Sequence, residues 1–145
     1  LPKEKPVIDG YDIAGMSLPS RHVGGDYFDY IKLDEHRTLF CIADVSGKGM
    51  PAALIMANVQ AALRITAPFG LSLPDLTNRL NQIVYENTGL DKFVTFFVGI
   101  LDTSDHSFTY TNAGHNPPML LRSGEFEYLT KGGLILGVLD EKIDY

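Results

Sequence analysis

Cysteine is nearly absent from this chain. A single one, Cys41, excludes an intramolecular disulfide and any multi-cysteine zinc site. That usage is expected of a reducing cytoplasm. Basic residues are also scarce: 12 Lys and Arg stand against 18 Asp and Glu, for a formal net charge of -6. A nucleic-acid partner is therefore disfavoured. No continuous apolar run reaches the roughly 18 residues of a membrane span, and no charged-then-apolar leader opens the chain, so no membrane contact is expected. Internal repeats and low-complexity tracts are missing too. What is present is ordinary globular usage, 45% apolar and 21% charged over 145 residues. A single domain of that length buries roughly two-thirds of its unfolded surface without staples.

Residues 1–9 open with Leu1-Pro2-Lys3-Glu4-Lys5-Pro6, charged and proline-bearing, which reads as a linker remnant ahead of a domain spanning 10–145. Strand patterns follow at Tyr11–Met16, Tyr27–Leu33 and Thr38–Ala43, the last two separated by the polar break Asp34-Glu35-His36. Two helices come next. Pro51 suits a first helical turn, and Leu54, Ile55, Val59, Ala62 and Leu63 recur at helical spacing up to Pro68 and Gly70. Ser72 is an N-cap with Asp75 three residues on, and Leu76, Leu80, Ile83 and Val84 form the buried stripe. Gly89 is expected to stop this helix in a left-handed conformation. Strands then return at Phe93–Leu101, Ser107–Thr111, Met119–Leu121 and Glu125–Leu129. Strands, two consecutive helices, then strands predict an α+β domain with largely antiparallel sheets.

Two places put an acid beside glycines at a strand end: Val23-Gly24-Gly25-Asp26 and Asp44-Val45-Ser46-Gly47-Lys48-Gly49. If the flanking strands pair as a hairpin, Asp26 and Asp44 converge, and like charges so placed repel unless a cation sits between them. Oxygen donors alone suit a hard ion, Mg²⁺ or Mn²⁺. Taken singly, each acid is more simply a turn or strand-end residue. Other motifs fail on spelling. A Walker motif lacks its first glycine, since Ile42 stands there, and Gly49 replaces its Ser or Thr. The cyclase signature GGDEF meets Tyr27 where it needs glutamate. The G-x-S-x-G elbow lacks the glycine before Ser46.

Five blocks occur in order. They are Val23-Gly24-Gly25-Asp26-Tyr27-Phe28-Asp29, then Asp44 through Leu54, and Phe93-Val94-Thr95-Phe96-Phe97. Asn112-Ala113-Gly114-His115-Asn116-Pro117-Pro118 and Gly132 through Val138 complete the series. Together they resemble the bacterial SpoIIE/RsbU branch of the metal-dependent protein phosphatases, the protein phosphatase 2C superfamily, from about Gly10 to Val138. The resemblance implies two antiparallel sheets sandwiched between helices, a binuclear Mn²⁺ or Mg²⁺ centre, and hydrolysis of phosphoserine or phosphothreonine on a protein. By that resemblance Asp26 and Asp44 are the catalytic metal ligands, with Val45 adding a backbone carbonyl. Attack would come from a metal-activated water. Arg21, five residues before Asp26, takes the place of a phosphate-holding arginine. The substrate implied is a phosphorylated anti-sigma-factor antagonist, and an upstream sensor or receiver domain is expected.

Two departures from the family pattern matter. Val45-Ser46-Gly47-Lys48 replaces the block whose histidine is a candidate general acid, leaving that role unassigned. The Thr-Asp-Gly block and a further acid that complete the metal set do not occur before Tyr145, so the domain reads as incomplete. A non-catalytic phosphatase-like binding module is accordingly the rival reading, with a Mg²⁺-dependent nucleotide cyclase third. Among the remaining residues, His115 reads as a hydrogen-bonded turn histidine before a metal ligand. His22, His36 and His106 read as loop residues, and Cys41 as a small hydrophobe in a buried strand. The alanine-rich helix from Pro51 to Thr66 is a candidate regulatory element.

Overall fold

Tyr27, Asp29 and Ile31 share one side of the first strand because successive side chains of a strand point to opposite faces. That alternation organises the whole domain. The computed structural model describes residues 2, 4–18, 24–89 and 91–145. Its strands are β1 (Asp26–Lys32), β2 (Arg37–Val45), β3 (Val94–Asp102), β4 (Ser107–Ala113), β5 (Met119–Arg122), β6 (Glu125–Tyr128) and β7 (Gly132–Gly133). Helices α1 (Met50–Thr66) and α2 (Leu73–Asn87) lie between β2 and β3, joined through a 3-10 turn at Ala67–Phe69. One five-stranded sheet runs in the order β1-β2-β3-β4-β7, and β5 pairs with β6 in a two-stranded sheet. All pairs are antiparallel except β4 with β7. The α+β class with largely antiparallel sheets is thus the observed one.

Both helices cover one face of the larger sheet. Leu39, Cys41, Ala43 and Val45 of β2, with Val94, Phe96 and Val98 of β3, meet Ala52, Met56, Val59 and Leu63 of α1. From α2 the same core receives Leu73, Leu76, Leu80 and Val84. With the 3-10 turn, the stretch Met50–Phe69 has the length and composition of a membrane span, at a mean hydropathy of 1.2. Asn58, Gln60 and Arg64 interrupt it, so it is no continuous apolar run. The opposite face carries a sheet of aromatics. Phe28 and Tyr30 meet edge to face at 5.6 Å, Tyr30 and Phe40 at 5.5 Å, and Phe97 stacks on Tyr110 at 5.5 Å.

Local chemistry explains the helix ends. Ser72 accepts from the Asp75 N–H at 3.2 Å and donates its hydroxyl to the Asp75 carboxylate at 2.7 Å, so the expected N-cap is present. Two expectations do not hold. Gly89 does not stop α2; Thr88, extended at φ -127, ends it, and its hydroxyl donates to the Val84 carbonyl at 2.7 Å. Tyr11–Met16 forms no strand beyond an isolated bridge from Tyr11 to Ile8. Among the described residues no strand pairs with it; instead Gly15 lies against the Phe28 and Tyr30 rings.

Candidate metal centre

Asp26 begins β1 and Asp44 stands next to last in β2, and the register sets them directly opposite each other. Both side chains fall on the face away from the helices, because Tyr27, Ala43 and Val45 occupy the helix face. The protein around Asp44, and then the facing Asp26 carboxylate, raise its carboxyl above the ordinary range. Two oxygen-only donors with mutual repulsion fit a hard divalent cation, which removes the repulsion. Among the described residues no cluster of three or more His, Cys, Asp or Glu side chains that could hold a metal is formed.

The backbone beside the pair is tightly specified. Val45 N–H donates to the Gly25 carbonyl at 3.3 Å. A Cβ on Gly25 would meet the Val45 Cβ and carbonyl oxygen at 3.0 Å and the Ala52 Cβ at 3.3 Å. A side chain here would therefore press on the same carbonyl that the sequence singles out. Past Val45, Ser46 fixes the loop to β3: its N–H donates to the Phe93 carbonyl, and its hydroxyl accepts from the Phe93 N–H, both at 2.9 Å. Arg21 and His22 lie outside the described residues.

Two residues that the sequence did not single out join here, Thr95 through register and Asn112 through hydrogen bonds. Thr95 sits opposite Asp44 on β3, and its hydroxyl lies 3.4 Å from the Asp44 carbonyl. The same hydroxyl is 2.8 Å from Nδ1 of His115. Asn112, buried at the end of β4, accepts from the His115 N–H at 2.7 Å and donates to its carbonyl at 3.1 Å. His115 is thus a hydrogen-bonded turn residue whose ring also reaches the row of Asp26, Asp44 and Thr95. Asn112, three residues before His115, was a visible signal; Thr95 was recoverable only from strand register.

Three residues along β1 from Asp26 and on the helix face, Asp29 is completely buried. Arg64 of α1 grips it with two hydrogen bonds of 2.7 Å, Tyr27 donates its hydroxyl at 2.5 Å, and the Tyr30 N–H adds one at 2.9 Å. Burial first, then the charge near Cys41 and Asp29, keeps the Tyr27 phenol protonated. This clamp ties α1 to the strand that carries Asp26.

Residues 34–145 match the SpoIIE family, stage II sporulation protein E. The chain belongs to the SpoIIE family. It is 33% identical over 142 residues to the phosphoserine phosphatase RsbU of Bacillus subtilis, covering 97% of this chain and 42% of that relative. The RsbU and RsbW domains of Rv1364c from Mycobacterium tuberculosis superpose with a TM-score of 0.73 at 26% identity, over 88% of this chain and 36% of that one. The PP2C phosphatase domain of Bacillus subtilis SpoIIE, at 20% identity, shares the fold with a TM-score of 0.72, over 84% and 36%. The family member described here therefore spans well under half the length of these relatives.

Proposed function

We propose that this domain belongs to a metal-dependent protein phosphatase acting on phosphoserine or phosphothreonine. The observation that carries the reading is the direct opposition of Asp26 and Asp44 at one end of the β1–β2 pair. Its main outside support is the 33% identity to a protein named as a phosphoserine phosphatase. Asp26, Asp44 and the Val45 carbonyl would hold Mn²⁺ or Mg²⁺, since hard oxygen donors select hard ions. When bound, such a centre lowers the pKa of water and neutralises phosphoryl charge. These residues would hold and orient the ion, and Arg21 would hold the phosphate. By family analogy the substrate is a phosphorylated anti-sigma-factor antagonist, with residues 1–9 leading from an upstream sensor or receiver domain.

A second reading has its own observation. The two aspartates are joined by no third His, Cys, Asp or Glu among the described residues, which favours a phosphatase-like module that binds a phosphoprotein without hydrolysing it. Calorimetry with Mn²⁺ on the wild-type chain, Asp26→Asn and Asp44→Asn tests the metal site. Strong weakening in both variants is expected; no binding at millimolar Mn²⁺ would sink the metal-dependent reading. Metal-dependent hydrolysis of p-nitrophenyl phosphate then separates enzyme from binding module.

A further inference from the structure

We propose that His115 is a phosphoryl-binding residue of this same site, presenting Nε2–H to an oxygen of the bound phosphate, with Thr95 as its positioning residue. This inference rests on the metal-centre reading above and deepens it.

The argument begins with the row. Asp26, Asp44 and Thr95 are consecutive register partners on three adjacent strands. Facing Cα atoms in an antiparallel pair are about 4.5–5.5 Å apart, so Thr95 lies one strand from Asp44 and two from Asp26. All three point away from the helices, since Ala43, Val45, Val94 and Phe96 point into them. His115 closes the row through its hydrogen bond to Thr95.

The ring is held more firmly than a turn requires. Gly114 turns the chain at φ +66, and a Cβ there would meet Ile135 Cγ2 at 2.3 Å. Asn112 then fixes both the N–H and the carbonyl of His115. These contacts complete the turn without the imidazole. The third contact, Nδ1 to Thr95 at 2.8 Å, fixes the ring itself.

The tautomer turns on where the Thr95 hydroxyl sends its single proton. Sent to Nδ1 at 2.8 Å, the shorter of its two contacts, in place of the Asp44 carbonyl at 3.4 Å, it makes Nδ1 an acceptor and leaves the ring proton on Nε2. This is the tautomer of the proposal; with the proton sent to Asp44, Nδ1–H would donate to Thr95 instead. Burial lowers the imidazole pKa and so favours this neutral form. Nε2 has no hydrogen-bond partner among the described residues, and it is not among their buried unpaired atoms. It is a fixed donor open to ligand. An anionic phosphoryl oxygen held by the neighbouring carboxylate-bound cation is the acceptor that fits, because hydrogen bonds to charged acceptors are the strong ones. No bond is made or broken at His115.

The test uses the 145-residue chain, Mg²⁺ and inorganic phosphate. Long-range proton–nitrogen NMR of the wild-type imidazole is expected to show the Nε2–H tautomer, with Nε2 shifting saturably as phosphate is added. Phosphate binding in His115→Phe is expected to weaken about tenfold, with Mg²⁺ affinity unchanged by calorimetry. His115→Gln, whose amide nitrogen reaches the Nε2 position, should recover part of the loss, and Thr95→Val should mix the tautomers. An Nδ1–H tautomer, or full phosphate affinity in a folded His115→Phe that still binds Mg²⁺, overturns the role of His115 and leaves the metal centre standing. Wild-type chain that binds Mg²⁺ but no phosphate overturns it as well. Absence of Mg²⁺ binding removes both readings together.

Discussion

Asp44 faces a like charge across the strand pair, and opposed like charges in a sheet are destabilising by up to about 1 kcal/mol. Asp44→Asn is therefore expected to raise the thermal midpoint of the metal-free chain in EDTA and to abolish the stabilisation by Mn²⁺ that the proposed site predicts for the wild type. Differential scanning fluorimetry with and without Mn²⁺ checks both halves. An unchanged Mn²⁺ response in Asp44→Asn would remove this aspartate from the site. His115 gives a pH signature of defined sign. Its folded pKa lies below the ordinary 6.5 because burial disfavours the cation. The unfolded chain thus binds the proton more readily, and stability falls as pH drops through 6.5 toward the folded value. Urea denaturation across that window should show the slope in wild type and lose it in His115→Gln. The pairing of Asp26 with Asp44 was legible from glycines and carboxylates at two strand ends. Thr95 was not, because a threonine in a valine-rich strand carries no mark until register sets it opposite Asp44.

Helix α1 is attached to the sheet by apolar packing and by a charge pair whose Asp29 end is buried. Arg64→Leu leaves the Asp29 carboxylate buried, with only Tyr27 and the Tyr30 N–H to satisfy it. The expected cost is about 3 kcal/mol, the lower end for a broken buried pair because the Arg64 side chain is 49% exposed. A double substitution, Asp29→Asn with Arg64→Leu, should recover part of it, as equilibrium unfolding would show. At the turn into β1, Gly25→Ala forces the new methyl against Val45 and Ala52. Overpacking of this kind costs about 1–3 kcal/mol, and here it displaces the Val45 carbonyl, so calorimetry should find weaker Mn²⁺ binding. The element pattern was readable where period and caps agreed, as in α2 with Ser72 and Asp75. It misled at Tyr11–Met16, where alternation without a partner strand produced no strand.

Across the whole molecule, the last described segment is bound to α2 by side-chain amides in place of a strand ladder. Asn81, buried, donates to the Leu139 carbonyl at 2.9 Å and accepts from the Gly137 N–H at 2.8 Å, and Asn78 brackets Ile143 in the same way. Asn81→Ala strips partners from two backbone groups, at about 1–3 kcal/mol for each one left buried. Faster hydrogen exchange at Gly137 is the expected sign; unchanged protection there would place the strap's stability elsewhere. The sequence by itself determined the class of the domain, its two helices and strands β1 to β6 in order, and marked the two acids at strand ends. Those follow from local period, caps and glycine chemistry. Only the tertiary structure decided the register that lines up Asp26, Asp44, Thr95 and His115, the Asp29–Arg64 clamp, and the amide strap on α2. Each joins residues far apart in the chain, and such contacts are set by packing between elements, which no local pattern encodes.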